Sequence, residues 1–104
     1  MQRVLALDDL LGLLANSSES LEVQSAPNAA ASHGALYMKS MIDQAQREYS
    51  NTKLTLWVDC GAHAGVAMSA IRTGLLHLVV DVPDAVFTKL EDIAAQSGAQ
   101  LRRR

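Results

Sequence analysis

The chain has 104 residues and a mass of 11.2 kDa, enough for one compact core and too few for two. Hydrophobic residues make up 49%, which excludes a disordered chain at this modest charge, and aromatics at 4% leave the core to Leu, Val, Ile, Ala and Met. The formal net charge is −2 with three cations confined to Arg102-Arg103-Arg104, and such an acidic body lacks the basic, aromatic footprint of a nucleic-acid binder.

The first segment, Arg3 to Ala15, is leucine-rich, with Val4, Leu7, Leu11 and Leu14 at helical spacing and Leu5, Leu10 and Leu13 around them. It reads as a helix, the rival being a short strand at "RVLAL" before a helix capped at Asp8 or Asp9. Those two acids also interrupt the unbroken apolar core that a signal peptide needs. Asn16 to Ser20 is a loop, and Leu21 to Ala26 alternates as an edge or half-buried strand. Pro27-Asn28 ends that strand, and Asn28 or Ser32 caps a helix running to Tyr49.

Leu54 to Val58 is a strand, Gly61 to Gly65 turns into a helix ending near Gly74, and Leu75 to Val82 is the most apolar strand. Pro83-Asp84 opens a last helix with Asp84 as its cap, Gly98 ends it, and "AQLRR" forms a short edge strand. This alternation predicts a single α/β domain over residues 1–104, with a four-stranded, mainly parallel sheet, crossover helices and an N-terminal helical segment. The arginine triplet reads as a solvated tail.

Parallel sheets bind ligands beyond the carboxyl ends of their strands, and the suggestive polar residues fall at that edge. They are Asn28, the cluster Asp59, Cys60 and His63, the acids Asp81 and Asp84, and His33 at the first crossover. Asn28 with Gly61 and Gly65 forms a candidate cradle for a small anion, since glycines admit close backbone approach and a helix start presents free N–H groups. "GAHAG" matches neither dinucleotide nor P-loop spacing, so no cofactor is implied. Cys60, a lone cysteine directly after an aliphatic strand, reads as a buried core residue. In the alternative, Cys60 beside His63 and Asp59 imitates a nucleophile, base and orienting acid, the pattern of acyl or thiol chemistry. Cys60-x-x-His63 also supplies two metal ligands, but a second clustered pair is missing and no metal site is predicted. His77, within an apolar strand, reads as a core or interface histidine.

The segment order from Leu54 to Gly98 is similar to that of STAS domains, the small regulatory modules of anti-sigma-factor antagonists. There a strand ends in an Asp-Ser turn whose serine is phosphorylated at a helix start. Asp59-Cys60-Gly61 sits in a similar position with Cys60 in place of that serine, so no phosphosite is carried over.

Alternation on the strands separates an aliphatic sheet face (Leu54, Leu56, Val58) from a mixed one (Thr55, Trp57, His77). The single cysteine fits a reducing compartment, and no apolar run is long enough to span a membrane. The expectation is a cytoplasmic interaction or regulatory module that binds neither membrane nor nucleic acid. Self-association as a homo-oligomer, most simply a dimer, is expected through Val4 to Leu14, with a small anionic ligand at the carboxyl edge. The alternative is a small enzyme built on Cys60, His63 and Asp59.

Overall fold

The computed structural model describes residues 3, 4 and 6–104. Its elements in chain order are β1 (Arg3–Val4), α1 (Leu7–Ala15), β2 (Ser20–Ser25), α2 (Ala29–His33), α3 (Ala35–Glu48), β3 (Lys53–Asp59), α4 (Ala64–Thr73), β4 (His77–Val80), α5 (Asp84–Gln96) and β5 (Gln100–Arg103). The strands form one five-stranded sheet in the order β1-β2-β3-β4-β5, parallel throughout. This is the α/β architecture expected from the alternation, with five strands rather than four.

The added strand is β1. Arg3 and Val4 pair with Gln24 and Ser25, and Ala26 N–H donates to the Val4 carbonyl at 3.2 Å. The leucine-rich segment therefore divides instead of forming one helix. Asp8 and Asp9 fall in the first turn of α1, where negative charge complements the helix dipole. Leu5 lies outside the described residues. A second division separates α2 from α3 at Gly34, whose φ of +86° a side chain rarely adopts, so the single helix expected up to Tyr49 is two.

Strands adjacent in sequence are adjacent in the sheet, and right-handed crossovers between such parallel neighbours all pass on one side. The helices accordingly pack side by side in one layer, α1 against α3, α3 against α4 and α4 against α5. Beneath them the helix-facing residues Val4, Val23, Leu54, Leu56, Val58, Leu78 and Val80 form the core. Leu10 and Leu14 of α1 are 0% and 1% exposed in that core, with Leu7, Leu11 and Leu13 packed against it. The leucines expected to meet a second copy thus serve the domain itself, because α1 must cover the β1–β2 end of the sheet.

Register places Glu22, Gln24, Thr55, Trp57, His77, Val79 and Arg102 on the opposite face. Among the described residues no helix lies over it, yet Trp57 is only 7% exposed. The Arg102 guanidinium sits 4.0 Å from the Trp57 ring centroid, and His77 meets the ring edge-on at 5.1 Å. Trp57 Nε1 donates to Glu22 Oε2 at 3.0 Å. Burial, the largest influence, holds the His77 imidazole below its ordinary pKa despite the nearby Glu22 carboxylate. Among the described residues, no helix is long and apolar enough to cross a membrane.

Placing α1 in the core makes a measurable demand. Leu14→Ala should cost about 2–5 kcal/mol, as for other fully buried leucines. Urea unfolding monitored by circular dichroism checks this, and a loss below about 0.5 kcal/mol would put α1 outside the core.

Candidate functional site

The carboxyl edge is organised around one buried anion. Asp59 ends β3 with its side chain 1% exposed, and its carboxylate gathers donors from three separate parts of the chain. Oδ1 accepts the backbone N–H of Asn28 at 3.2 Å, that of Gly61 at 2.8 Å and Arg104 Nη2 at 2.7 Å. Oδ2 accepts Arg104 Nε at 3.0 Å, which completes a two-pronged guanidinium–carboxylate pair. Burial by itself raises the Asp59 pKa, but the hydrogen bonds from Arg104, Asn28 and Gly61 together outweigh it and hold the carboxyl below its ordinary value. Arg104 is correspondingly held above its own, chiefly by its hydrogen bonds to Asp59.

Local backbone geometry makes this convergence possible. Asn28 adopts the left-handed conformation at φ 60°, which asparagine tolerates better than most residues, and so turns its N–H toward Asp59. Its side chain does not cap α2 as expected; Oδ1 instead accepts Arg104 Nη2 at 3.2 Å. Gly61 has φ +66°, and a Cβ there would run into Asn28 Oδ1, so a side chain is excluded twice over. Gly65 has open space around its α-carbon and ordinary backbone, so nothing here requires glycine at that position.

These contacts settle where each predicted residue lies. Asn28 and Gly61 do come together, but the anion between them is Asp59 itself, and Gly65 is no part of the cradle. Cys60 is 0% exposed, its thiol facing the Val58 carbonyl at 3.8 Å. Burial first, and then the Asp59 charge, push its pKa up to about 12, the reverse of nucleophile activation. His63 is exposed at the N-cap position of α4, and the hydrogen bonds of the site do not join it to Cys60. The nucleophile–base–acid set is therefore not assembled: one member is sealed in the core, one lies in solvent, and the third is committed to Arg104.

Asp81 stands 3.8 Å from Arg104 Nη1 at the exposed rim. Asp84 is the first residue of α5 and makes no side-chain cap; it pairs with Arg103 Nη2 at 2.7 Å, itself 95% exposed. His33 is exposed and meets Tyr37 at 5.5 Å between ring centroids. Among the described residues, no group of three or more His, Cys, Asp or Glu is placed to hold a metal ion.

The arginine triplet is the feature that sequence reasoning missed. Rather than a solvated tail, Arg102 covers Trp57, Arg103 lies 4.3 Å over the Phe87 ring, and Arg104 grips Asp59. Alternation along β5 offered a signal, since Arg102 and Arg104 share one parity, opposite to the core-packed Leu101. A cavity of about 120 Å³ opens at the other end of the sheet, beside the amino ends of β3 and β4. Comparison with protein-family models, with curated proteins and with solved structures finds no match for this chain.

Asp59→Asn should destabilise by about 1–3 kcal/mol at neutral pH, less than breaking a fully buried pair because Arg104 stays 38% exposed and partly screened. The carboxyl is held below its unfolded pKa, so its contribution is complete above that value and fades as pH falls through the folded one. The stability gap between wild type and variant should be flat from about pH 5 to 8 and close below about pH 4. Urea midpoints measured across that range test it, and a gap that persists into acid would contradict the assignment.

Proposed function

We propose that the protein is a small cytoplasmic interaction or regulatory module, not an enzyme, which self-associates as a two-fold dimer through the helix-free face of its sheet. One observation carries this reading: parallel sheets are ordinarily covered on both faces, and here every helix packs in one layer. With strands ~4.8 Å apart and ~3.3 Å of rise per residue, the bare face measures roughly 24 by 15 Å in projection. Allowing for side-chain relief, two copies pressed together bury on the order of 1,000 Å², the lower bound for a specific interface. The face also carries both signs of charge, Arg3, Lys53 and Arg102 beside Glu22, so a second copy brings opposite charges to it. Closed two-fold pairing uses one surface twice and leaves no open end.

Support for the enzymatic alternative is weaker, because it needs a thiolate from a cysteine whose pKa stands near 12. A buried free thiol also suits the reducing cytoplasm. Light scattering should report twice the chain mass of 11.2 kDa. Thr55→Arg on the bare face should shift the protein to monomer, whereas Leu36→Asp, on the exposed start of α3, should leave the dimer intact. A wild-type monomer at the highest concentration reached, or a dimer indifferent to Thr55→Arg, sinks the assembly.

Chemical labelling addresses the chemistry separately. Native Cys60 should resist a thiol reagent at pH 8 and react only once denaturant unfolds the chain. Rapid stoichiometric labelling of the folded protein would overturn the burial of Cys60 and favour the enzyme.

A further inference from the structure

The cavity at the amino ends of β3 and β4 lies at the opposite edge from the Asp59 cluster and takes no part in it. Its walls are apolar, formed by Ile42 of α3, Leu54 and Leu56 of β3, and Leu75 before β4. Two charged side chains of α3 also line it, Lys39 and Asp43, with Lys39 Nζ 3.0 Å from Asp43 Oδ2 and the two side chains 35% and 46% exposed. The Lys39 stem passes over Gly74, where a Cβ would come within 3.2 Å of Lys39 Cε, so the missing side chain at Gly74 lets lysine lie at this position. Leu76, another lining residue, is 50% exposed.

Volume narrows the occupant. About 120 Å³ is far below the ~300–1,000 Å³ of sites for drug-sized ligands and cofactors, and an apolar cavity near ~150 Å³ is known to take a benzene-sized group. The space suits a branched aliphatic group of about four carbons. Charge narrows it further, because an ammonium and a carboxylate stand side by side with the apolar walls. A plain fatty acid satisfies only the first and a plain amine only the second. A zwitterion satisfies both, since each rim group exchanges its partner for one of the same sign on the ligand.

We propose that this cavity binds a small aliphatic α-amino acid, its side chain against Ile42, Leu54, Leu56 and Leu75, its carboxylate on Lys39 and its ammonium on Asp43. The site lies apart from the carboxyl edge and meets the bare face at His77, which also lines it. It makes the module responsive to a small metabolite.

Methyl-labelled isoleucine provides the measurement, since of the chain's three isoleucines Ile42 lies in the cavity wall, while Ile71 on α4 and Ile93 on α5 do not line it and Ile93 serves as an internal control. L-leucine, isovalerate and isoamylamine are the probes. L-leucine should shift the Ile42 methyl saturably with millimolar affinity while Ile93 stays in place, the affinity expected of so small a ligand. Isovalerate, which lacks the ammonium and one carbon, and isoamylamine, which lacks the carboxylate, should each bind ~2–5-fold more weakly. Lys39→Met and Asp43→Asn alter partly exposed side chains and should weaken L-leucine to a similar degree, and Leu54→Phe should fill the cavity and abolish the shift. Three results overturn the proposal: no saturable shift up to ~50 mM L-leucine, isovalerate or isoamylamine binding as tightly as the zwitterion, or Lys39→Met leaving affinity unchanged in a folded protein.

Discussion

A carboxylate almost wholly removed from solvent must be compensated or neutralised, and that constraint shapes the carboxyl edge of this fold. Asp59 remains charged because the turn after β2, the turn after β3 and the residue following β5 each supply it with donors. The same bonds tie together three segments that the sheet ladder alone does not join. The left-handed backbone at Asn28 and the glycine at position 61 both serve one anion. Removing one partner from such a cluster costs more than the pair contributes in isolation, because the partners left behind stay buried without their charge.

Sequential strand order sets the second constraint. It makes every crossover land on one side, so five helices cover one face and side chains alone must protect the other. Trp57 shows how that is done. Its ring is roofed by Arg102, edged by His77 and anchored through Nε1 to Glu22, so a large aromatic is hidden without a second helical layer. Arg102 thereby acts through its apolar and planar character as much as through its charge.

Most elements were legible from periodicity and turn chemistry. Strand β3, the helix ending at Gly74 and the helix ending near Gly98 stand where the apolar spacing put them, and the separation of aliphatic and mixed faces held along β3 and β4. β1 was harder to read, because two residues carry no alternation and the pairing of Val4 depends on a partner strand distant in sequence. The function of the arginines was hidden for the same kind of reason. Their parity could be read, but which strand lies beside β5 could not, and only β4 next to it, with β3 beyond, brings Arg104 to Asp59. Cys60 is the buried core residue that its place after an aliphatic strand predicts, and only the alternative that joined it to His63 fails. Three residues of separation suggest proximity, yet the strand carries one into the core while the turn delivers the other to solvent.

The two ends of the sheet have therefore been put to opposite uses. At the carboxyl end, where open parallel sheets usually receive ligands, the backbone donors face an internal carboxylate and the strand ends are locked together. At the amino end the buried walls of Leu54, Leu56 and Leu75 border a small cavity beside a part-exposed Lys39–Asp43 ion pair. The two edges are held by different neighbours: β3 pairs with β4 only at Val58–Leu78 and Asp59–Val79, whereas Leu54 and Leu56 pair with Leu21 and Val23 of β2. The cavity walls therefore take their position from β2 and from Gln46, whose Oε1 accepts the Leu54 N–H at 3.0 Å.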